Sequence, residues 1–315
     1  KPKLNDSLLI NINKVSDLRY GENPHQSAAF YIDNNSSPSW HKYQGKALSY
    51  NNYADMESAL IIPSEFEEIS CAIIKHSNPC GFATGKTLKE AYKRAVTSDP
   101  VSYFGGIVGF NREVDAETAN ELIEPFLECI IAPSYSEEAL IILKSKKNLR
   151  VVSTNREDID DDISIKSVAG GYLCQTKDKQ QEELKNLSIV TRRKPTNYEL
   201  DSLRLGWKLV RHVKSNAIVL SDNQQLIGIG AGQMSRIDSV KIAIQKMGET
   251  NLNLDGVIMA SDAFFPFSDS IELASKAGIS AIIQPGGSIK DDEVIKKADD
   301  LNISMVFTGV RHFFH

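Results

Sequence analysis

Short apolar runs punctuate this chain from residue 70 onward, and between them apolar residues return every three or four positions. The first kind of pattern predicts buried strands and the second predicts amphipathic helices. Strands are expected over Ile73–Lys75, Gly106–Phe110, Cys129–Ala132 and Arg150–Ser153. Helices are expected between them. Thr87 and Glu90 form a capping box for a helix running to about Ser98. Asp115 caps a helix that Pro125 ends, and Glu137–Lys144 forms a third. The second half repeats this order. A helix over Tyr198–His212 precedes a hairpin of Ala217–Leu220 and Leu226–Ile229. A helix over Ser235–Met247 follows. Strands at Val257–Ala260, Ile279–Ile283 and Ile303–Phe307 then alternate with helices near Ser270–Ala277 and Asp291–Leu301. Alternation of this kind predicts α/β architecture with mostly parallel sheets. A duplicated fold is expected, although no residue-level repeat is visible. The charged, Gln-rich stretch Lys177–Lys194, with one short strand near Leu187–Thr191, marks the boundary. The expected units are 1–192 and 193–315. The first 65 residues, rich in Asn and Tyr and without clear period, read as an arm or as functional loops.

Composition narrows the class. Of 315 residues, 41% are hydrophobic and 24% charged, which places the chain among folded proteins rather than disordered ones. A net charge of -5 argues against non-specific nucleic-acid binding, which needs a basic face. No run approaches the roughly 18 apolar residues of a membrane span, so no membrane partner is expected. The N-terminus shows no signal-peptide pattern. Cys71, Cys80, Cys129 and Cys174 show no CxxC spacing. Free cysteines and a reducing, cytoplasmic compartment are therefore expected.

The densest chemistry lies in Lys75-His76-Ser77-Asn78-Pro79-Cys80-Gly81, after the apolar run Cys71–Ile74. A strand end carrying a cation and an imidazole, followed by an Asn-Pro-Cys-Gly turn, suits ligand binding and proton transfer. A solvated strand end is the plain alternative. A zinc deaminase site fits poorly. Asn78 stands where the acid/base Glu is needed, and Ala83 where the second Cys is needed. Gly228-Ile-Gly230-Ala-Gly232-Gln233 lacks the third glycine of a dinucleotide fingerprint at Gln233. Gln284-Pro-Gly-Gly-Ser288 lacks the Lys-Ser/Thr of a phosphate-binding P-loop. Arg19, within Asp17–Gln26, is suited to grip a phosphate, and Arg311, in the C-terminal Arg311–His315, places a cation at a strand's carboxyl end.

Together these segments resemble one family. The matching residues are Leu18–Gln26, Leu48–Asn52, Lys75–Gly81, Ser98–Ser102 with Phe104-Gly105, Ile130–Pro133, Ser215-Asn216, Gly228–Arg236, Ser261–Phe267 and Arg311. The family is the bifunctional AICAR transformylase/IMP cyclohydrolase, and the resemblance is to its transformylase region. The cyclohydrolase domain, normally N-terminal to this region, is absent from the sequence, so only the first activity is implied.

The resemblance implies two cytidine-deaminase-like three-layer α/β subdomains with an N-terminal arm. It implies formyl transfer from 10-formyltetrahydrofolate to the 5-amino group of AICAR, in a homodimer with active sites at the interface. Lys75, His76 and Asn216 match catalytic positions. Arg19, Tyr20, Phe104, Gly105, Glu128, Arg311 and Phe313 match the AICAR pocket, with Glu128 replacing an expected Asp. Ile237, Phe264 and Asp269 match the folate site. Some members hold a structural potassium ion near the equivalents of Ser215 and Asp262; no zinc is implied. Two other readings remain open at the level of sequence: a catalytically silent dimeric nucleotide- or folate-binding module, and a zinc-dependent deaminase-like hydrolase.

Overall fold

A computed structural model describes residues 4–34, 39–154, 163–179, 182–252 and 254–315. Two six-stranded sheets carry the fold. The first is built from β3 (His41–Gln44), β4 (Ile69–Lys75), β5 (Asn78–Gly85), β6 (Ile107–Phe110), β7 (Cys129–Ala132) and β8 (Arg150–Ser153), in the order β3-β8-β7-β6-β4-β5. The second uses β11 (Ser188–Ile189), β12 (Ile218–Ser221), β13 (Leu226–Gly230), β14 (Ile258–Ser261), β15 (Ala281–Gln284) and β16 (Ser304–Phe307), ordered β11-β16-β15-β14-β12-β13. The two orders are the same when read element for element.

The directions repeat too. In the first sheet β6, β7 and β8 run parallel, while β3, β4 and β5 are joined antiparallel. In the second, β14, β15 and β16 run parallel, while β11, β12 and β13 are antiparallel. The expectation of mostly parallel sheets is thus corrected to mixed ones. Helical crossovers impose parallel pairing only on the three strands they connect. The opening hairpin of each sheet has no crossover and pairs antiparallel.

The helices complete the repeat. Helix α1 (Tyr50–Ser64) precedes the first sheet's hairpin, and α5 (Asn197–Val210) precedes the second's. Helices α2 (Leu88–Ser98), α3 (Ala116–Leu122) and α4 (Glu137–Leu143) in the first half match α6 (Arg236–Gly248), α7 (Asp269–Lys276) and α8 (Asp291–Asp300) in the second. Helix α1 lies in the region expected to be an arm. Its Ser49–Asn52 capping box starts it, and only Asn51 and Glu57 of its first twelve residues besides Tyr50 are exposed. A helix covered on nearly every side shows no amphipathic stripe.

Three cores hold these layers. Met56, Leu60 and Ile62 of α1 and Leu203, Trp207 and Leu209 of α5 share one cluster with inner faces of both sheets. The outer face of the first sheet packs under α2, α3 and α4. The outer face of the second packs under α6, α7 and α8. Each half is therefore helix, sheet and helices, with α1 and α5 contributing to one core shared by both halves.

Two hairpins stand outside the sheets: β1 (Ile12–Asp17) with β2 (Ala29–Asp33), and β9 (Ile163–Val168) with β10 (Gly171–Thr176). Both are mostly exposed. Strand β11 pairs with β16, so the second sheet takes in residues 188–189, just before the expected boundary at 192/193.

Candidate active site

The Lys75–Gly81 segment takes a different shape from the one expected. Lys75 pairs with Asn78, and the turn is the dipeptide His76-Ser77. Asn78-Pro79-Cys80-Gly81 is not a turn but the start of strand β5. Proline is tolerated there because β5 is an edge strand. His76 (φ 51°) and Ser77 (φ 61°) both adopt left-handed backbone, as a tight two-residue hairpin requires. That conformation costs roughly 1–2 kcal/mol per non-glycine residue. Neighbours hold it in place. Asp55 of α1 accepts from Ser77 N at 2.7 Å and from its hydroxyl at 3.3 Å, and Asn78 Nδ2 donates to the His76 carbonyl at 3.1 Å.

His76 projects into solvent and Lys75 is half-buried. Lys75 Nζ lies over the left-handed Gly105, 3.7 Å from where a Cβ would stand. Gly105 N donates to the Phe126 carbonyl, and Glu128 N to the Gly106 carbonyl. Gly105 thus lies beside the lysine, and Phe104 and Glu128 sit on the two segments that these backbone bonds join. Glu128 is ion-paired with Arg150, itself buried, at 2.5 Å.

A second cluster surrounds Asn216. Its Nδ2 donates to the carbonyls of Gln233 (2.9 Å) and Met234 (3.2 Å), and its Oδ1 accepts from Arg236 Nη2 at 2.7 Å. Arg236 is also bound to the buried carboxylate of Asp262 and to Ser261 Oγ. Asp262 takes further bonds from Ser215 Oγ and Ala217 N. The C-terminal tail docks on the same loop: Ser215 N donates to the Phe314 carbonyl and Phe314 N to Ser215 Oγ. Arg311 lies over the Phe313 ring at 4.2 Å.

One bond joins the clusters. Lys214 N donates to Asn78 Oδ1 at 3.0 Å, setting the hairpin tip against the loop that carries Ser215-Asn216. Arg19 and Tyr20 reach the same region by way of α1. Arg19 N bonds the Leu48 carbonyl and Tyr50 N the Tyr20 carbonyl, at the start of the helix whose Asp55 grips the tip. Arg19 stacks on Tyr20 at 5.3 Å. Lys75, Arg19 and Arg311 form no ion pair with described residues. The folate-assigned residues lie around Arg236 and Asp262: Ile237 follows the first, and Phe264 stands two residues after the second. Asp269, exposed, opens α7 and accepts from Ser270 N.

Arg236 is the functional candidate that sequence reasoning left unassigned. A cation at the first position of a helix opposes the helix dipole. That anomaly signals another partner, here Asp262. The same pairing bears on potassium. With a guanidinium on the Asp262 carboxylate, a cation coordinated by that group does not fit, and no role for potassium is derived. Cys80 is buried, its thiol bonded to the Ile73 carbonyl and pushed up to about 12, chiefly by burial. It is a protonated core group, unsuited to bind a metal as thiolate. All four cysteines are free. No helix among the described residues is long and apolar enough to cross a membrane. A cavity of about 320 Å³, lined by Glu65, Arg211, His212, Lys177, Phe313 and Phe314 among others, shares only Phe313 with the expected site.

Residues 1–246 match the family model described as AICARFT/IMPCHase bienzyme. Two relatives, each a "Bifunctional purine biosynthesis protein PurH", come from Halalkalibacterium halodurans and Shouchella clausii. They are 53% and 51% identical, over 98% of this chain and 61% of each relative. A third, from Caldicellulosiruptor saccharolyticus, is 50% identical with the same coverage. The chain therefore spans about three fifths of the length of the curated relatives it matches. A solved structure titled as protein ybgI of unknown function aligns at 10% identity with a TM-score of 0.16, over 65% of this chain and 72% of its own, too weak to bear on the fold. On the family match, the chain belongs to the AICARFT/IMPCHase bienzyme family.

Proposed function

We propose that this chain transfers a formyl group from 10-formyltetrahydrofolate to the 5-amino group of AICAR, giving FAICAR and tetrahydrofolate in purine (IMP) synthesis. The supporting observation is the 214–216 loop. It bonds the Lys75-His76 hairpin through Asn78 and the Arg311-Phe313 tail through Phe314. Residues far apart in sequence thereby meet at one place.

The acceptor amine is a weak nucleophile, because its lone pair is delocalised into the imidazole and carboxamide. As its nitrogen attacks the formyl carbon, a proton must leave, and solvent-facing His76 is the base. The formyl oxygen becomes an oxyanion, and Lys75, without an ion-pair partner among the described residues, stabilises it. Collapse breaks the carbon–N10 bond, and the proton taken up by His76 passes to N10 with Lys75 assisting, so both residues end as they began. Asn216, held on both amide atoms, steadies the substrate. Arg19 and Arg311 hold the phosphate, with Tyr20, Phe104, Gly105, Glu128 and Phe313 lining the AICAR pocket. Ile237, Phe264 and Asp269 receive the pterin, Asp269 meeting its amino-pyrimidine edge.

In this reading the matched halves are cytidine-deaminase-like subdomains, divided near 192/193, and the protein works as a cytoplasmic homodimer with interfacial sites. The exposed β9–β10 hairpin, with Tyr172 76% exposed, suits a partner surface. Light scattering of the purified chain should give twice the monomer mass.

The decisive test is His76→Ala. Formyl transfer should fall by about a hundredfold or more, while AICAR still binds. Turnover near the parent's rate would remove His76 as the base. Lys75→Ala should lower kcat similarly; a change confined to KM would make Lys75 a binding residue.

A further inference from the structure

His312 belongs to none of the groups above. It is a titratable side chain with 0% exposure, on a tail whose neighbours face solvent. Burial alternates along it: Arg311 out, His312 in, Phe313 out. The imidazole lies edge-on to Trp207 of α5, with ring centroids 5.2 Å apart. Its Nδ1 meets Asp178 Oδ2 at 2.5 Å. Its backbone N–H donates to the Asp262 carbonyl at 3.0 Å.

A buried imidazole needs hydrogen-bond partners, since an unsatisfied ring nitrogen is costly. Asp178 supplies one from the segment just after β10, in the first half of the chain. The inward side chain at 312 also decides which way its neighbours point. With His312 fixed inward, Arg311 and Phe313 are turned outward together, and their 4.2 Å stacking follows.

We propose that the Asp178–His312 pair is a positioning device for AICAR binding: it locks the tail so that Arg311 and Phe313 face the substrate. This rests on the formyl-transfer reading above. Neither residue touches substrate. The pair acts through Arg311, so its effect falls on AICAR and not on folate. It also makes the first half's 177–179 segment part of the phosphate grip.

Asp178 is the residue to change, because its side chain is 47% exposed and its loss leaves the core intact. In the full chain, Asp178→Ala should raise the KM for AICAR about tenfold, with kcat and the KM for 10-formyltetrahydrofolate within about twofold. Asp178→Asn keeps an acceptor oxygen for Nδ1–H and should restore most of the AICAR affinity. Amide hydrogen exchange supplies a readout independent of activity. The amides of His312 and Phe314, both bonded in the parent, should exchange faster in Asp178→Ala. Unchanged exchange would overturn the anchor. Faster exchange with an unchanged KM for AICAR, or an equal rise in both KM values, would overturn its role in substrate binding. A parent chain that neither binds AICAR nor transfers formyl would instead sink the functional reading, whatever the exchange shows.

Discussion

His76 and Ser77 form the tip of the hairpin that carries the candidate base. Both are left-handed without being glycine, and Asp55 holds Ser77 from α1. Strain kept at a reactive position needs surrounding contacts that over-determine it. Asp55→Ala should therefore relax the tip and lower kcat about tenfold, at a cost of about 1–2 kcal/mol in stability. Asp55→Asn keeps an acceptor and should stay close to the parent. Steady-state kinetics with both variants check this, and parent-like turnover in Asp55→Ala would show that the tip is set by something else. Arg311, with no ion pair among described residues, gives a second test. Arg311→Ala should weaken AICAR binding and leave folate affinity little changed; equal loss of both, measured by calorimetry, would contradict a phosphate role. The identity of these residues was readable from the chain, but the turn was not. Asn-Pro looks like a turn by local preference, and the true one is stabilised by a carboxylate 22 positions upstream.

Edge strands β5 and β13 show the same device at the scale of elements. Their helices approach so closely that a Cβ on Gly81 would meet the Ala95 carbonyl oxygen at 2.3 Å, and one on Gly230 the Ser239 oxygen at 1.9 Å. This accounts for the glycines of Gly228–Gly232 without a dinucleotide: those at 228 and 230 admit α6. Gly230→Ala would push α6 outward, and α6 begins with Arg236, which holds Asn216. The expected loss is about 1–3 kcal/mol in stability, together with reduced turnover. Gly248→Ala, on the same helix with open space around it, should be neutral or slightly stabilising. Denaturant midpoints of the two variants test this, and equal midpoints would contradict close packing at Gly230. Strands and helices joined by crossovers were legible because their periods are strong. Helix α1 and strands β3 and β5 were not. One is covered on nearly all sides, one is exposed, and one begins with residues that favour turns.

Helices α1 and α5 share one core between the two halves, and a buried ion cluster ties the ends of those helices together. Glu65, closing α1, is paired with Arg211, closing α5, and with His212 Nε2 at 3.0 Å. Lys208 Nζ adds a bond to the Glu65 carbonyl and lies over the Phe66 ring. Burial alone would push the Glu65 carboxyl up. The charges and hydrogen bonds of His212 and Arg211 outweigh it and hold the group at about 2, below its ordinary value of 4.5. The sign follows from that direction. A carboxyl depressed in the folded state binds its proton more readily when the chain unfolds. Its stabilisation is complete above about 4.5 and is lost as pH falls towards 2. The size is roughly 3 kcal/mol, on the basis of about 1.4 kcal/mol per pKa unit. Glu65→Gln removes the charge at every pH. At neutral pH it should be clearly less stable than the parent, because Arg211 is left buried against a neutral amide. Denaturant titrations between pH 7 and the lowest pH at which both proteins fold should show the gap closing only below about 4.5. A gap of constant width down to the acid limit would mean that Glu65 is not ionised in the fold, and that charge does not hold the ends of α1 and α5 together.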